Sequence, residues 1–363
     1  MPIRHGGFVD TAMGLRVFLF VAFCVLLLQP SGTHAQSPEL GQAYQRFSGH
    51  FAAHRIAAAA PFAERALELA QSEFGADHDS TVNMLFNLSA VYGLLGRLEE
   101  GIGLGRRALA ALEKKHGKGP ELMPVLDSLA DMQRSAGRAD QAELLLHRLQ
   151  TIAQAAKLDQ AEAAALEKLA EIDLEAGRHE EAKTRFHQAL TLYERDQAST
   201  GPAAARALAG IATALSRLGR RRQAADHFRI ALKRAGDDAV LRAEILDRSA
   251  EAEARAGRYV AAARQLRESL ALVEYALGAE HPSLIEPLGR LGQVERAAGR
   301  LSHAEPPLRR ALALIEQAYG GANGRLASAL FQLAEVLRAQ ERYDQAKPLL
   351  VRARAIMAAG GGS

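Results

Sequence analysis

The sequence predicts an all-α protein built from one repeated helix–turn–helix unit, and three observations carry that prediction. First, alanine is abundant, β-branched runs are scarce and no stretch alternates strictly, so the strand signal is missing. Second, glycine followed by arginine recurs at Gly96, Gly137, Gly177, Gly219, Gly257 and Gly299, and the eighth copy keeps Arg342 but has Glu341 in the glycine place. The intervals are 41, 40, 42, 38, 42 and 42 residues, a near-fixed period that signals stacked repeats. Third, two rows keep register with that turn and are almost wholly small. Five residues after it stand Gly101, Ala142, Ala182, Ala224, Ala262, Ala304 and Ala346; seven before it stand Ser89, Ala130, Ala170, Ala212, Ala250, Gly292 and Ala334. Small side chains on facing helices let two backbones approach at native packing density.

The units follow in order. Residues 40–78 form a first unit with a good second helix, Pro61 to Phe74, and a first helix that fits the pattern poorly. Further units run over 79–120, 121–158, 159–202, 203–238, 239–282, 283–324 and 325–357. A larger apolar row, Leu88, Leu129, Leu169, Ile211, Leu291 and Leu333, precedes the small one and is broken only by Ser249. The third unit departs with Leu149-Gln150 where Ala-Leu is usual. The turn glycine suits a left-handed helix stop, so Glu341 predicts a strained or rearranged turn in the last unit. Pro61, Pro306 and Pro348 share one position, seven residues after the turn, and are expected near a helix start, where a missing amide costs little. Residues 358–363, ending in three glycines and a serine, are expected to form a flexible tail.

The first 35 residues read as an export leader rather than as part of the fold. A twelve-residue apolar run, Val17 to Leu28, follows Arg4 and Arg16, and Thr33-His34-Ala35 supplies small residues for cleavage before Gln36; Met13 is an alternative start. A bilayer-spanning helix needs about 20 apolar residues, so a cleaved signal peptide is preferred over an uncleaved anchor. The destination is then the periplasm or the extracellular space, with no stable membrane span after cleavage. Cys24 is the only cysteine and lies inside the apolar run, so the mature chain has no disulfide, thiol nucleophile or thiolate metal site. It would keep 43 basic and 41 acidic residues, a net +2, which does not point to a nucleic-acid partner.

The combination of a small row, Gly-Arg, a second small row and Ala-Leu resembles the tetratricopeptide repeat. Its long period resembles the kinesin light chain type and its bacterial relatives. Ala304-Glu305-Pro306-Pro307-Leu308-Arg309-Arg310-Ala311-Leu312 is close to that type's second helix. Leu277-Gly278-Ala279-Glu280-His281-Pro282 matches its linker, echoed by Phe74-Gly75-Ala76-Asp77-His78-Asp79. The resemblance covers about residues 40 to 357. It implies that residues 36–357 form a right-handed superhelical solenoid of about eight repeats, whose first helices line a concave groove for a peptide or partner protein.

No catalytic arrangement stands out. His179-Glu180-Glu181 begins like a zinc-protease helix, but Lys183 stands where the second histidine is needed. Gly101, Gly103 and Gly105 imitate a phosphate loop inside an expected second helix, with no strand before it. The ten mature histidines show no ligand spacing. The sequence therefore predicts a binding protein with no catalytic residues, metal or cofactor.

The resemblance carries two groove rows onto this chain. Nine residues before the turn stand Asn87, Ser128, Lys168, Gly210, Arg248, Arg290 and Gln332; four residues earlier stand Asn83, Pro124, Ala164, Arg206, Glu244, Glu286 and Ser328. Asparagine on the first row grips a peptide backbone in the kinesin light chain type, and only Asn87 keeps it. Arginines gather in the later repeats: Arg206, Arg248 and Arg290 on these rows, and Arg217, Arg255, Arg296 and Arg338 near the ends of first helices. Their planar forks suit carboxylates, so within the predicted site (Asn83, Asn87, Arg206, Arg248, Arg255, Arg290, Arg296 and Gln332) the groove of repeats five to eight favours an acidic segment or a free carboxy terminus. Asp247, Glu251, Glu286 and Glu335 are placed to neutralise the same arginines from within. The rival function is a structural subunit that self-associates through its convex face or its ends. The last helix, with Leu349, Leu350, Val351 and Ile356, offers a docking surface for it.

Overall fold

Helix follows helix along the computed structural model, which describes residues 37–195, 201–321 and 323–360; the leader and Cys24 lie outside them. Among the described residues there are sixteen α-helices in eight consecutive pairs, with no strand. They are α1 Pro38–Ala52 with α2 Ile56–Phe74, α3 Asp79–Leu95 with α4 Leu98–His116, α5 Met123–Ser135 with α6 Ala139–Ala155, and α7 Asp159–Glu175 with α8 His179–Arg195. Then come α9 Pro202–Arg217 with α10 Arg221–Arg234, α11 Ala239–Arg255 with α12 Tyr259–Leu277, α13 Ile285–Ala297 with α14 Leu301–Tyr319, and α15 Gly324–Ala339 with α16 Tyr343–Gly360. The fold is all-α, as the periodicity predicts.

Two compact units divide the chain: Met1–Gly117 with Ser128–Ala142, and Lys118–Asp127 with Glu143–Ser363. The division runs through the third repeat, the one whose second helix carries Leu149-Gln150. In the first unit α1 packs on α2, α2 on α3 and α3 on α4. In the second, from α7 onward, each second helix touches both its own first helix and the next one. An isolated pair cannot cover its apolar stripe, and this stacking covers it.

The small rows set the spacing within each pair. Ala182, Ala262 and Ala304 are fully buried, as are Ala170, Ala212 and Ala334. At Gly292 an added Cβ would lie 2.4 Å from Leu308 Cγ, and at Gly101 it would lie 3.0 Å from the Ser89 carbonyl. These contacts leave no room for a larger residue, which is why the rows are legible in sequence. The first pair breaks the rule: Phe47 occupies the small position of α1, fully buried, with Tyr44 and Phe51 rings 5.9 and 5.7 Å away. Aromatic packing replaces close backbone approach there, and this explains why α1 fits the pattern poorly.

All eight pairs turn in the same way. The turn residue has positive φ, and the following arginine N–H donates to a carbonyl five residues back, as Arg97 to Tyr92 and Arg300 to Glu295, each at 2.9 Å. This satisfies carbonyls that the helix end would orphan. The Glu341 turn is strained but not rearranged: Glu341 keeps φ 62°, and Arg342 N–H still reaches Leu337 O at 2.9 Å. His54, φ 56°, holds the first turn in the same conformation.

Two local expectations are corrected. Second helices begin directly after the turn arginine, at Ile56, Leu301 and Tyr343, so Pro61, Pro306 and Pro348 are each the sixth helical residue rather than in the first turn. Each removes a genuine i→i−4 bond instead of an orphan amide. At the carboxy terminus α16 continues through Ala358 and Ala359 to Gly360, because alanines propagate a helix; Gly361 to Ser363 lie outside the described residues.

The linker match extends to its hydrogen bonds. His281 Nδ1 accepts from Ser283 N–H at 3.2 Å, and His78 Nδ1 accepts from Ser80 N–H at 3.2 Å, each behind a positive-φ glycine, Gly278 and Gly75. The turn arginines, for their part, tie neighbouring repeats together. Arg97 lies 3.5 Å from Glu64, Arg220 2.6 Å from Glu180 and Arg342 2.5 Å from Glu305, each acid on the preceding second helix, while Arg138 meets Glu99 and Arg178 meets Glu143.

Candidate functional site

The first helices carry the predicted rows, and each unit is taken separately. In the first, α3 buries residues almost all round, including Thr81, Asn87 and Ser89. Thr81 and Ser89 satisfy their hydroxyls on backbone carbonyls, Thr81 on Ala70 and Gly75 and Ser89 on Gly101. Asn87 does not: it is 1% exposed, and neither its Nδ2 nor its Oδ1 has a partner among the described residues. A carboxamide held that way costs about 1–3 kcal/mol of desolvation with no return. Asn83, one turn earlier, is half-buried.

In the second unit the first helices hold a chain of ion pairs. Lys168 Nζ meets Asp127 Oδ1 at 2.6 Å. Arg248 on α11 bonds Glu171 on α7 at 2.7 Å, with both side chains about one-eighth exposed, and lies 3.7 Å from Glu244. The pair therefore joins repeat six to repeat four, bypassing α9. Arg290 meets Glu286 at 3.0 Å. Arg217 and Arg255 share one carboxylate, Glu251, at 2.7 and 3.1 Å. Desolvation alone would raise the Glu251 carboxyl, but the charges of Arg290, Arg217 and Arg255 hold it below its usual range. Burial pulls Arg217 below the usual guanidinium value.

Not every predicted residue joins this network. Arg206 is half-buried on α9 with its Nε enclosed and unbonded, Arg296 is exposed on α13, and neither has an ion-pair partner among the described residues. Gln332 sets its Oε1 3.7 Å from where a Cβ on Gly289 would stand. Gly210, on the same row, serves packing: a Cβ there would be 2.4 Å from the Phe186 ring. Of the anticipated neutralising acids, Glu251, Glu286 and Glu335 form pairs, the last with Arg338 at 2.8 Å. Glu171 escaped the sequence reading because its partner lies two repeats away. The row six residues before the turn, with Asp131, Glu171, Glu251 and Glu335, was the signal available.

The last helix is less open than its composition suggests. Leu349 and Leu350 pack against the cluster around Leu308 and Leu333, and Ile356 is buried, which leaves Val351 exposed with Tyr343 and Met357. Among the described residues no group of three His, Cys, Asp or Glu side chains is placed to hold a metal ion, and no helix is long and apolar enough to cross a membrane.

Several solved structures share this fold. RapI in its apo form is 13% identical over 77% of this chain and 98% of its own, with a TM-score of 0.56. BtubC (BKLC) from P. vanneervenii is 19% identical over 60% of this chain and 89% of its own, with a TM-score of 0.51. A Rap protein complexed with Competence and Sporulation Factor is 16% identical over 86% of this chain and 78% of its own, with a TM-score of 0.50. At such identities the likeness concerns the fold alone. No curated protein matches the sequence. The tetratricopeptide repeat model matches residues 48–114, 161–236 and 241–317, more than half of the chain, and passes over the third repeat, where the two compact units divide. With the Gly-Arg turns, the small rows and eight helix pairs in place, the chain belongs to the tetratricopeptide repeat family.

Proposed function

We propose that the chain is a non-catalytic protein-interaction scaffold, and that the first helices of repeats five to seven receive an acidic segment of a partner protein. One observation carries this: the guanidiniums on that face are not matched one to one by a carboxylate. Arg217 and Arg255 share Glu251, while Arg206 and Arg296 have no ion pair among the described residues. An incoming carboxylate meets the guanidiniums of Arg206 and Arg296 with no internal carboxylate to displace. The complex of a Rap protein with Competence and Sporulation Factor supports reading this fold as a receiver of partners.

The test is fluorescence polarisation against Asp/Glu-rich peptides. Arg248→Glu with Arg290→Glu abolishes binding, whereas Arg138→Glu, outside the face, leaves it intact; circular dichroism checks the fold of both. Unchanged affinity in the double variant would sink the assignment.

The finer placement belongs to the same proposal: a long-repeat, kinesin-light-chain-like protein of bacterial exported form. Export rests on the leader pattern, and amino-terminal sequencing of the mature chain should begin at Gln36. Exposed Tyr343, Val351 and Met357 on α16 favour the second reading, self-association through the end of the array. A mass in solution that rises with concentration would select it.

A further inference from the structure

The apolar row that precedes the small one is broken at Ser249, and the structure shows what the break creates. Ser249 lies on α11, 8% exposed, where the other repeats place buried Leu88, Leu129, Leu169, Ile211, Leu291 and Leu333. In front of it opens a cavity of about 260 Å³, bounded by the end of α9, by α10, by α11 and by α12. One wall is apolar, formed by Phe228, Leu232, Ala224 and Ala252. The floor is polar: Gln265 Nε2 donates to Ser249 Oγ at 3.0 Å, and Gln265 Oε1 is enclosed with no partner. Ser249 directs its own O–H to no acceptor among the described residues. Three arginines complete the lining: Arg258 pairs with Glu253, Arg229 lies 3.4 Å from Asp226, and Arg221 has no ion-pair partner among the described residues. The site therefore has one arginine without an ion pair, one enclosed amide oxygen without a partner, one hydroxyl proton without an acceptor among the described residues, and an apolar wall.

We infer that this cavity is a binding site for a small monoanion in which a carboxylate sits beside an amide N–H and an apolar side group, the chemistry of an N-acylated aliphatic amino acid. The carboxylate takes Arg221, with the Ser249 hydroxyl as a second donor; on binding the Gln265 carboxamide turns its enclosed Oε1 into the cavity to accept from the N–H; the aliphatic group lies on Phe228 and Leu232. A cavity this size lies below the usual range for drug-sized ligands, so it selects a ligand of about a dozen heavy atoms. Affinity for such a fragment is on the order of millimolar. The site is separate from the arginine-rich face of the first helices, so it stands or falls without that proposal.

N-acetyl-leucine is the probe, titrated into the isotope-labelled full chain while the Gln265 side-chain amide resonances are followed by NMR. These resonances shift and saturate with N-acetyl-leucine, and the carboxamide analogue, N-acetyl-leucine amide, binds at least tenfold more weakly. Arg221→Ala lowers the affinity by a similar factor. Ser249→Leu with Gln265→Leu restores the apolar row, keeps the chain folded and abolishes binding, followed in this variant through the backbone amides of residues 249 and 265. Gly-Gly-Gly-Leu separates the sources: binding as tight as N-acetyl-leucine assigns the site to a peptide's carboxy terminus, and loss on lengthening assigns it to a free small molecule. No saturable shift at 10-fold above about 1 mM would overturn the inference. So would equal binding by the amide, or unchanged binding in the filled double variant.

Discussion

In repeat two, α3 is buried on nearly every side, and its polar groups are enclosed hydroxyls and one orphaned carboxamide; in repeat six, α11 carries Glu244, Arg248, Glu251 and Arg255 in half-buried ion pairs, and a cavity opens at Ser249. Yet both helices end in the same left-handed glycine, Gly96 and Gly257, and both meet their partner helix across small residues, Ser89 with Gly101 and Ala250 with Ala262. Turn and small rows therefore define the backbone of a repeat, and the remaining positions are free to be apolar, ionic or hollow. That freedom is where binding properties can differ between repeats of one chain.

The largest expected effect contrasts the apolar row with its break. Leu88→Ala in repeat two removes a side chain that is 4% exposed and should cost about 2–5 kcal/mol. Ser249→Ala, at the same register position in repeat six, loses one hydrogen bond from Gln265 and should cost about 1 kcal/mol. Urea denaturation of both measures the contrast. Equal losses would mean that Ser249 is as tightly packed as Leu88, and the two repeats would not differ in the way described.

The ion pairs come next. Arg248→Ala leaves Glu171 and Glu244 partly enclosed without their cation, and should cost about 1–3 kcal/mol. Replacing Arg248 and Glu171 by leucine and Glu244 by glutamine in the same chain should cost less, because the desolvation penalties leave with the charges. If this combined replacement is as harmful as the single one, the pair is a stabilising strut and not an exchangeable contact. Glu251 gives the same region a pH signature. Its folded carboxyl is held below the ordinary 4.5, so its contribution is present above that value and disappears as the pH falls through the lowered one. Glu251→Gln should therefore lower the melting temperature at neutral pH and leave a flatter decline on acidification below about pH 4.5, converging with the parent chain.

The legible part of the molecule was the part that repeats. A glycine at φ 74–80° or a small residue with a backbone or side chain 3 Å away tolerates few substitutes, so Gly299, Gly101 and Ala304 announce themselves by position. α1 was harder to read because Phe47 fills its small position with an aromatic, and the proline row was misplaced because the turn arginine is itself the N-cap, which starts each second helix five residues earlier. The candidate site was legible in its arginines and not in their partners. Which carboxylate meets Arg248 depends on how α7, α9 and α11 stack, and Glu171 is 77 residues away in sequence. The cavity had its signal in the broken row at Ser249, but the orientation of Gln265 and the position of Arg221 come only from three dimensions.

The smallest expected effect compares two turns. At Gly299 and at Glu341 the backbone is the same, φ 74° and 62°, and so are the bonds that close it, from Gly299 to Arg296 and from Glu341 to Arg338. Only the side chain differs, and a non-glycine residue in this conformation costs about 1–2 kcal/mol. Glycine gives back part of that through its freer unfolded chain, about 0.5–1 kcal/mol. Glu341→Gly should thus raise stability by about 0.5–1 kcal/mol, and Gly299→Ala should lower it by about 1 kcal/mol. Because repeats in such an array gain most of their stability from neighbours, the gain at Glu341 belongs to the last pair, and amide exchange in α15 and α16 should slow while that of α7 and α8 does not change. A glycine at 341 that speeds exchange there would show that the glutamate turn is held by contacts the other turns lack, and the two turns would no longer be equivalent.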